Sequence, residues 1–358
     1  MTAIYKLPPA LPAHLRFRSR PVHARKIRAV IPTYKDWEGL RVTLDSLLNL
    51  KTPPARISVA NDNPDDFVPE WLKDYPVQLV NYPGNCGPAE ARNRAFGFTG
   101  ELGDFAHIWS VAAAIKHRKG IPSYWRSGHV EPLTYDDKNP EPREFRWNSE
   151  LDWVYFTDCG CTHSPDLFLE FEKAWGECGD CCVAISGPIT GSGEGPINDY
   201  MTHQGVLNPP LEQNIHGVHI PQAIITANAL VAALPFAFLG GFNTEFKEAA
   251  GEDLDIGIRL RQLGVIAWAP QAIAAHRFDE SESDFYKRFR RYGRGNRRLE
   301  LMHNLPCLRA RPFKPDQDHK PDHHRLAKIA CEAMQAGYDE AVNVKERGVL
   351  RVLSDDPV

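Results

Sequence analysis

Arg28-Ala-Val-Ile-Pro-Thr-Tyr34 is a short run of apolar and β-branched residues halted by proline. Glu38 to Leu50 follows at once, with Leu40, Leu44, Leu47 and Leu48 at helical spacing. A strand running straight into a helix opens a βα unit, and the chain repeats the pattern. Ile57-Ser-Val-Ala60 is a second strand, ending in the turn-rich Asn61-Asp62-Asn63-Pro64-Asp65-Asp66. Val77 to Val80 is a third, and Pro83-Gly84-Asn85-Cys86-Gly87-Pro88 then turns the chain into a helix over Ala89 to Phe96, with proline at a favoured first-turn position. Strands alternating with helices predict a parallel sheet covered by helices, with ligands at the polar ends of its strands.

The pattern lapses from Gly100 to Glu150, a stretch rich in Trp, His, Arg, Pro and Asp that includes Ser123-Tyr-Trp-Arg-Ser-Gly-His129. Irregular connections of this length are uncommon and tend to be functional. The strand–helix alternation resumes at Trp153-Val-Tyr-Phe156, passes through Asp158-Cys159-Gly160-Cys161, and continues with a helix from about Pro165 to Trp175 and a strand at Val183 to Ile185. Gly191-Ser-Gly-Glu-Gly195 reads as a loop, since its glycine spacing is not that of a dinucleotide fingerprint and no helix clearly opens after it. Ala223 to Phe242 has the length of a membrane span. Asn228, Pro235 and Gly240-Gly241 favour a buried strand plus a short helix instead. Asp284 to Arg298 is a basic amphipathic helix expected to break at Gly293 and Gly295. Pro312 to His324 is a linker, and a last helix from about Leu326 to Lys345 packs its Ile329, Met334 and Tyr338 side on the core. The expected division is an N-terminal extension over 1–26, a main domain over 27–298 containing the 100–150 insertion, and a linker with a C-terminal helix over 299–358.

With 358 residues, 42% hydrophobic and 25% charged, the chain can bury a substantial core. A net charge of −4 gives no electrostatic footprint for nucleic acid, although basic residues cluster near 287–298. The N-terminus, Met1 to Lys26, is basic and proline-punctuated without an apolar signal core, so a reducing cytoplasm is the expected location, with thiols rather than disulfides.

Four places gather acidic or polar residues at strand ends: Pro32-Thr33-Tyr34, Asn61-Asp62, Asp158 and Glu252-Asp253. In order and type these motifs resemble those of the family-2 glycosyltransferases of the GT-A fold, from about Ile27 to Asn296. The resemblance implies a Rossmann-like α/β fold: a mixed, mostly parallel sheet flanked by helices, here with a C-terminal helical extension. It implies that Pro32, Thr33 and Tyr34 lie beneath the nucleotide of a nucleotide-sugar donor, and that Asn61 and Asp62 hydrogen-bond its base. A carboxylate or amide suits the N–H and carbonyl edge of a pyrimidine, and a UDP-sugar is the expected donor. Gly87-Pro-Ala-Glu-Ala91-Arg92-Asn93 matches the family's turn leading into Ala-Arg-Asn, which implies donor contacts for Arg92 and Asn93 near a helix N-terminus that favours negative charge.

Family members close a hydrophobic strand with an acid-x-acid pair, where a divalent metal neutralises the leaving diphosphate. Here Asp158 fills the first position and Gly160 replaces the second. His276, in Ala274-Ala275-His276-Arg277-Phe278, stands where a further metal ligand falls. Asp158 and His276 would hold Mg²⁺ or Mn²⁺; the alternative is no metal, with arginines from Arg288 to Arg294 neutralising the diphosphate. Gly240-Gly241-Phe242-Asn243 matches an acceptor-side turn, and Gly251-Glu252-Asp253-Leu254-Asp255 the acidic dyad. By resemblance Asp253 takes the proton from the acceptor hydroxyl and Glu252 orients donor or acceptor. The plainer reading of 251–255 is a helix start, where acids favour the dipole. Trp125 and His129 are expected to cover the acceptor, aromatic faces being suited to sugar C–H surfaces; a structural flap is the alternative.

Cys159, Cys161, Cys178, Cys181 and Cys182 have spacings that suggest zinc. The intervening helix of about eleven residues carries the chain roughly 16 Å, which argues against one shared site. Processive synthesis is disfavoured, since Arg290-Arg291-Tyr292-Gly293-Arg294-Gly295-Asn296 lacks a tryptophan-ending motif and no convincing membrane helix is present. Two other classes stay open. A nucleotidyltransferase would carry a glycine-rich basic loop after the first strand, where Thr33-Tyr34-Lys35-Asp36 stands. A catalytically silent relative that binds sugar nucleotides is the other, motivated by Gly160.

Overall fold

The predicted alternation of strand and helix is realised in a computed structural model that describes residues 19–63, 67–81, 84–97, 152–213, 219–305 and 321–353. Trp125, His129 and all of the 100–150 insertion lie outside the described residues. In chain order the elements are β1 (Ile27–Thr33), α1 (Trp37–Leu48), β2 (Arg56–Asn61), β3 (Val77–Asn81), α2 (Pro88–Phe96), β4 (Trp153–Phe156) and β5 (Cys161–His163). They continue with α3 (Leu167–Cys178), β6 (Cys182–Ser186), β7 (Ile189–Gly191), α4 (Pro196–His203), β8 (Leu211–Gln213), β9 (His219–Pro221), β10 (Ala229–Ala232) and α5 (Ala233–Phe238). The last are α6 (Glu252–Arg261), β11 (Val265–Trp268), β12 (Ala274–His276), α7 (Glu282–His303) and α8 (Pro321–Leu353).

A seven-stranded sheet has the order β11-β6-β10-β4-β1-β2-β3. Strand β10 runs antiparallel to both its neighbours, and the other pairs are parallel. This is the mixed, mostly parallel sheet that the resemblance implied. Alternate residues of β1 serve opposite faces, as the two-residue period of a strand requires. Ile27, Ala29 and Ile31 pack with Leu40, Leu44 and Leu47 of α1 and Phe168 and Phe171 of α3. Val30 joins Val154, Phe156, Ala91, Phe96, Phe236, Ile256 and Leu260 on the other side. Burial on both faces explains why the strands read as short apolar runs rather than as alternating ones. Asp36 starts α1 by accepting a hydrogen bond from Gly39 N at 2.8 Å.

A second sheet, β5-β12-β7, was not expected from the sequence, and it matters for the site. Its register sets His276 opposite Cys161 on one side and Gly191 on the other. That brings the end of β12 to the loop after β4.

Three local expectations change. Helix α7 does not break at Gly293 or Gly295. A Cβ at Gly293 would lie 1.9 Å from Met334 O, and one at Gly295 would lie 2.6 Å from Ala250 O. The glycines therefore let backbones cross closely, which offsets a helix-propensity cost of about 1 kcal/mol each. Helix α4 does open directly after Gly195, whose φ of 95° begins it with Pro196 in the first turn. The last helix starts earlier and ends later than predicted, at Pro321 and Leu353.

Ala223 to Phe242 resolves into a short 3-10 turn, β10 and α5, and among the described residues no helix is long and apolar enough to cross a membrane. The thiols separate as argued: Cys159 donates to Pro32 O at 3.3 Å, whereas Cys178, Cys181 and Cys182 lie at the junction of α3 and β6. Among the described residues no group of three or more His, Cys, Asp or Glu side chains is placed to hold a metal, and no disulfide is formed.

Candidate active site

The C-terminal ends of β1 and β2 carry the residues expected to meet a nucleotide. Thr33 and Asn61 are paired in the parallel register, and Asp62 N donates to Thr33 O at 2.9 Å. Both Asn61 and Asp62 are buried and already engaged. Asn61 Nδ2 donates to Asn81 Oδ1 at 2.6 Å, and its Oδ1 accepts from Asn63 N and Nδ2 at 3.2 and 2.6 Å. The Asp62 carboxylate accepts from Cys86 N at 2.7 Å and from Gly87 N at 2.9 Å. Burial raises the Asp62 pKa, and these two backbone donors counter part of that rise. The pair thus ties the end of β2 to the turn that begins α2. Tyr34 is 46% exposed at the strand end, and Pro32 supplies the carbonyl that meets Cys159.

Gly87 adopts a φ of 89° and its missing side chain matters, because a Cβ there would lie 2.3 Å from Lys247 O. The turn delivers α2, and α2 delivers Arg92 to the centre of the site. Arg92 is 3% exposed. Its Nη1 donates to Glu252 Oε1 at 2.9 Å and its Nη2 to Asp158 Oδ1 at 2.6 Å, while its guanidinium lies 5.7 Å from the Phe242 ring centroid. Burial alone would lower the Arg92 pKa, and the charges of Asp158 and Glu252 more than reverse this. Arg92 Nε and Glu252 Oε2 are buried without a hydrogen-bond partner among the described residues.

Asn93 was expected at the donor, but its amide is committed elsewhere: Nδ2 donates to Phe242 O and Oδ1 accepts from Phe242 N, both at 2.9 Å. It staples α2 to the segment after α5.

Gly251 begins α6 at a φ of 92°, with three acids in the first turn that the structure treats differently. Glu252 is paired with Arg92, and burial still raises its pKa. Asp255 accepts from Arg259 Nη2 at 2.6 Å and from His303 Nε2 at 2.8 Å. Burial would raise the Asp255 pKa, and Arg259 and His303 hold it below the usual value. Asp253 accepts from the Leu254 backbone N–H at 2.8 Å and forms no ion pair among the described residues. Burial first, then the neighbouring charge of Glu252, pushes its pKa up to about 7.

Strand β12 brings His276 to the same place. The His276 Nδ1 lies 2.8 Å from Arg277 O, an acceptor, which assigns the proton to Nδ1 and leaves a lone pair on Nε2. Burial lowers the His276 pKa, keeping the ring neutral. A neutral imidazole fixed by a backbone carbonyl, beside one carboxylate, is the donor chemistry of a divalent-cation site. Gly160 contributes no ligand: its φ is 81°, and a Cβ there would have only Arg277 Cβ nearby, at 3.7 Å.

Arg92, Asp158, Glu252, Asp253 and His276 line one cleft of about 260 Å³, together with Leu207, Phe289, Tyr292 and Met334. Pro32, Thr33, Tyr34, Asn61, Asp62 and Asn93 do not line it, and neither do Gly240, Gly241 and Arg294. Gly240 and Gly241 end α5 with φ of 76° and 71°, and the Gly241 carbonyl accepts from Arg259 Nη2 at 2.9 Å. Arg294 is held by Glu248 at 2.6 Å and by Glu340 at 3.2 Å. Arg288 and Arg291 reach the cleft instead, the former paired with Glu280 at 2.7 Å. Leu207, Tyr292 and Met334 were not identified from the sequence as site residues. For Tyr292 and Met334 the only signal was the apolar stripe of two helices otherwise rich in charge, and Leu207, in the loop after α4, had none.

Residues 29–100 match the family model described as glycosyl transferase family 2, which spans the segment from β1 through α2. No curated protein matches the chain. Among solved structures, the chain is similar to the mannosyltransferase PcManGT of Pyrobaculum calidifontis, solved with GDP-Man and Mn²⁺. Identity is 14%, the match covers 94% of this chain and 84% of that one, and the TM-score is 0.46. TarS residues 1–349 from S. aureus are 12% identical over 90% of this chain and 92% of that one, at a TM-score of 0.42. GalNAc-T7, solved with UDP, GalNAc and Mn²⁺, is 11% identical over 78% of this chain, which spans 55% of its length, at a TM-score of 0.45.

Proposed function

We propose that the chain transfers a sugar from a nucleotide-diphosphate donor, a UDP-sugar being the first to test, to an acceptor hydroxyl with inversion at the anomeric carbon. The observation that carries this reading is Asp253, the one acid of the α6 first turn that makes no salt bridge among the described residues. A base with a pKa near 7 is matched to proton removal at neutral pH. As the acceptor oxygen bonds to the anomeric carbon, its proton passes to Asp253. The carbon–oxygen bond to the diphosphate breaks on the opposite face and its electron pair leaves with the nucleotide. Arg92 fixes Glu252 and Asp158 at the edges of the reacting space. Asp158 and His276 would hold Mg²⁺ or Mn²⁺, which when bound neutralises charge on the departing diphosphate.

The test is nucleoside diphosphate release from UDP-, GDP- and dTDP-sugars, with the anomeric configuration of the product read by NMR. Release with a retained configuration removes inversion and the base role together. A second reading, a silent protein that binds sugar nucleotides, is favoured by one observation: Gly160 offers no second acid, and Asp158 is drawn to Arg92 at 2.6 Å. Donor-induced thermal stabilisation without release from any donor, with Mn²⁺ present, would select it.

A further inference from the structure

Apart from Leu254, which packs on one core of the large sheet, much of the apolar lining of the cleft comes from a separate cluster. Val206, Leu207, Tyr292 and Met334 pack, partly buried, on a third cluster built from Tyr200, Phe285, Phe289 and Ala333. That cluster belongs to α4, α7 and α8 and to the loop after α4. The Phe289 and Tyr292 rings meet edge to face at 5.5 Å between centroids. Thr33, Asn61 and Asp62 do not line this cleft, whereas Asp253 does. The cleft therefore excludes the residues expected at the base and holds both the groups assigned to the diphosphate, Asp158 and His276, and the acceptor base Asp253. Apolar surface and a cluster of charged groups, Arg288 and Arg291 among them, in one cleft match a ligand with one polar and one apolar end.

We propose that α7, α8 and the loop after α4 form an acceptor wall, and that the acceptor is an amphipathic glycoside. Its hydroxyl faces Asp253, and its alkyl or aryl aglycone lies on Leu207, Tyr292 and Met334. This rests on the transferase reading of Asp253. The wall gives the C-terminal helical extension a role in substrate selection.

The test uses n-alkyl β-D-glucosides from methyl to hexyl, below their micellar concentrations, with binding measured by calorimetry on the full chain. Affinity is expected to rise about fourfold per added methylene that is buried. Leu207→Asn and Met334→Gln, each checked for an unchanged unfolding transition, are expected to flatten that series. A hexyl glucoside with a terminal diazirine keeps the proposal falsifiable without variants. Photolabelling of wild-type peptides containing Leu207, Tyr292 or Met334 supports the wall. A flat chain-length series, a series unaltered in both folded variants, or label only on other peptides overturns it. Nucleotide release from UDP-, GDP- and dTDP-sugars in the presence of the hexyl glucoside separates the two readings. A rising series without release upholds the wall and removes the transferase activity, whereas release with a flat series removes the wall alone.

Discussion

The end of β2 and the start of α6 both bury carboxylates, and they stabilise them by different means. Asp62 is held by two backbone N–H groups of the turn before α2, partners that carry no net charge and cannot move away. Glu252 and Asp158 share one buried guanidinium, and Asp253 is left beside them with a single backbone donor. The first arrangement is a closed structural tie. The second is a charge balance with more acid than base, and its surplus sits on the carboxylate assigned to proton transfer.

That contrast can be broken at four points. The largest effect is expected at Asp253. Asp253→Asn removes the proton acceptor and should lower transfer by about a hundredfold to ten-thousandfold, with donor affinity nearly unchanged. Wild-type kcat/KM should fall about tenfold per pH unit below about 7, where Asp253 is protonated. The sign for stability is opposite. A carboxyl whose pKa rises from 3.8 to about 7 on folding confers stability below the unfolded value, and this is lost as pH rises toward 7. The asparagine variant cannot ionise, so its melting temperature should gain on wild type between pH 4 and 7. An active variant, or a Tm difference independent of pH, removes Asp253 from the base role.

Arg92→Met comes next. It leaves Glu252 and Asp158 without their shared cation and should cost about 3–5 kcal/mol in urea unfolding. A loss under 1 kcal/mol would mean that the acids are compensated by other groups. Third, removal of divalent metal by EDTA, or His276→Ala, should weaken Mn²⁺-stimulated donor binding by at least about tenfold. Donor affinity unchanged by EDTA argues that Asp158 and His276 hold no functional cation. The smallest effect is expected at Asp62→Asn, which turns one accepted backbone hydrogen bond into a clash of donors and should cost about 1–2 kcal/mol without altering the pH profile of transfer. A shift of that profile would place Asp62 in electrical contact with the reaction.

The same contrast explains what was legible in the sequence. Strands such as β1 and β4 are apolar on both faces, and their local composition alone marks them. Glu252, Asp253, Asp158, Arg92 and His276, predicted as separate motifs, do line a single cleft. Asn93 and Gly240-Gly241 were read as ligand contacts because they match motifs of the family that the sequence resembles. The Asn93 amide meets Phe242 and the Gly241 carbonyl meets Arg259, partners 149 and 18 residues away in the chain. Arg294 was read for its charge as a diphosphate partner in the metal-free alternative, and Glu248 and Glu340 bind it. The glycines of α7 look like helix breakers until Met334 and Ala250 are seen against them. In each case the missing information was a long-range neighbour, which local pattern does not encode.

Arg92 also sets an order of assembly. Asp158 follows it by 66 residues and Glu252 by 160. At about 5–20 residues per second of synthesis, the second partner reaches the ribosomal exit roughly ten to thirty seconds after the arginine. Until then a cation destined for the interior has only half its counter-charge, and β10, which joins the two halves of the sheet, is present only shortly before. A nascent chain halted ahead of Glu252 would therefore be expected to keep this centre hydrated and open, making the cleft one of the last parts of the molecule to become dry.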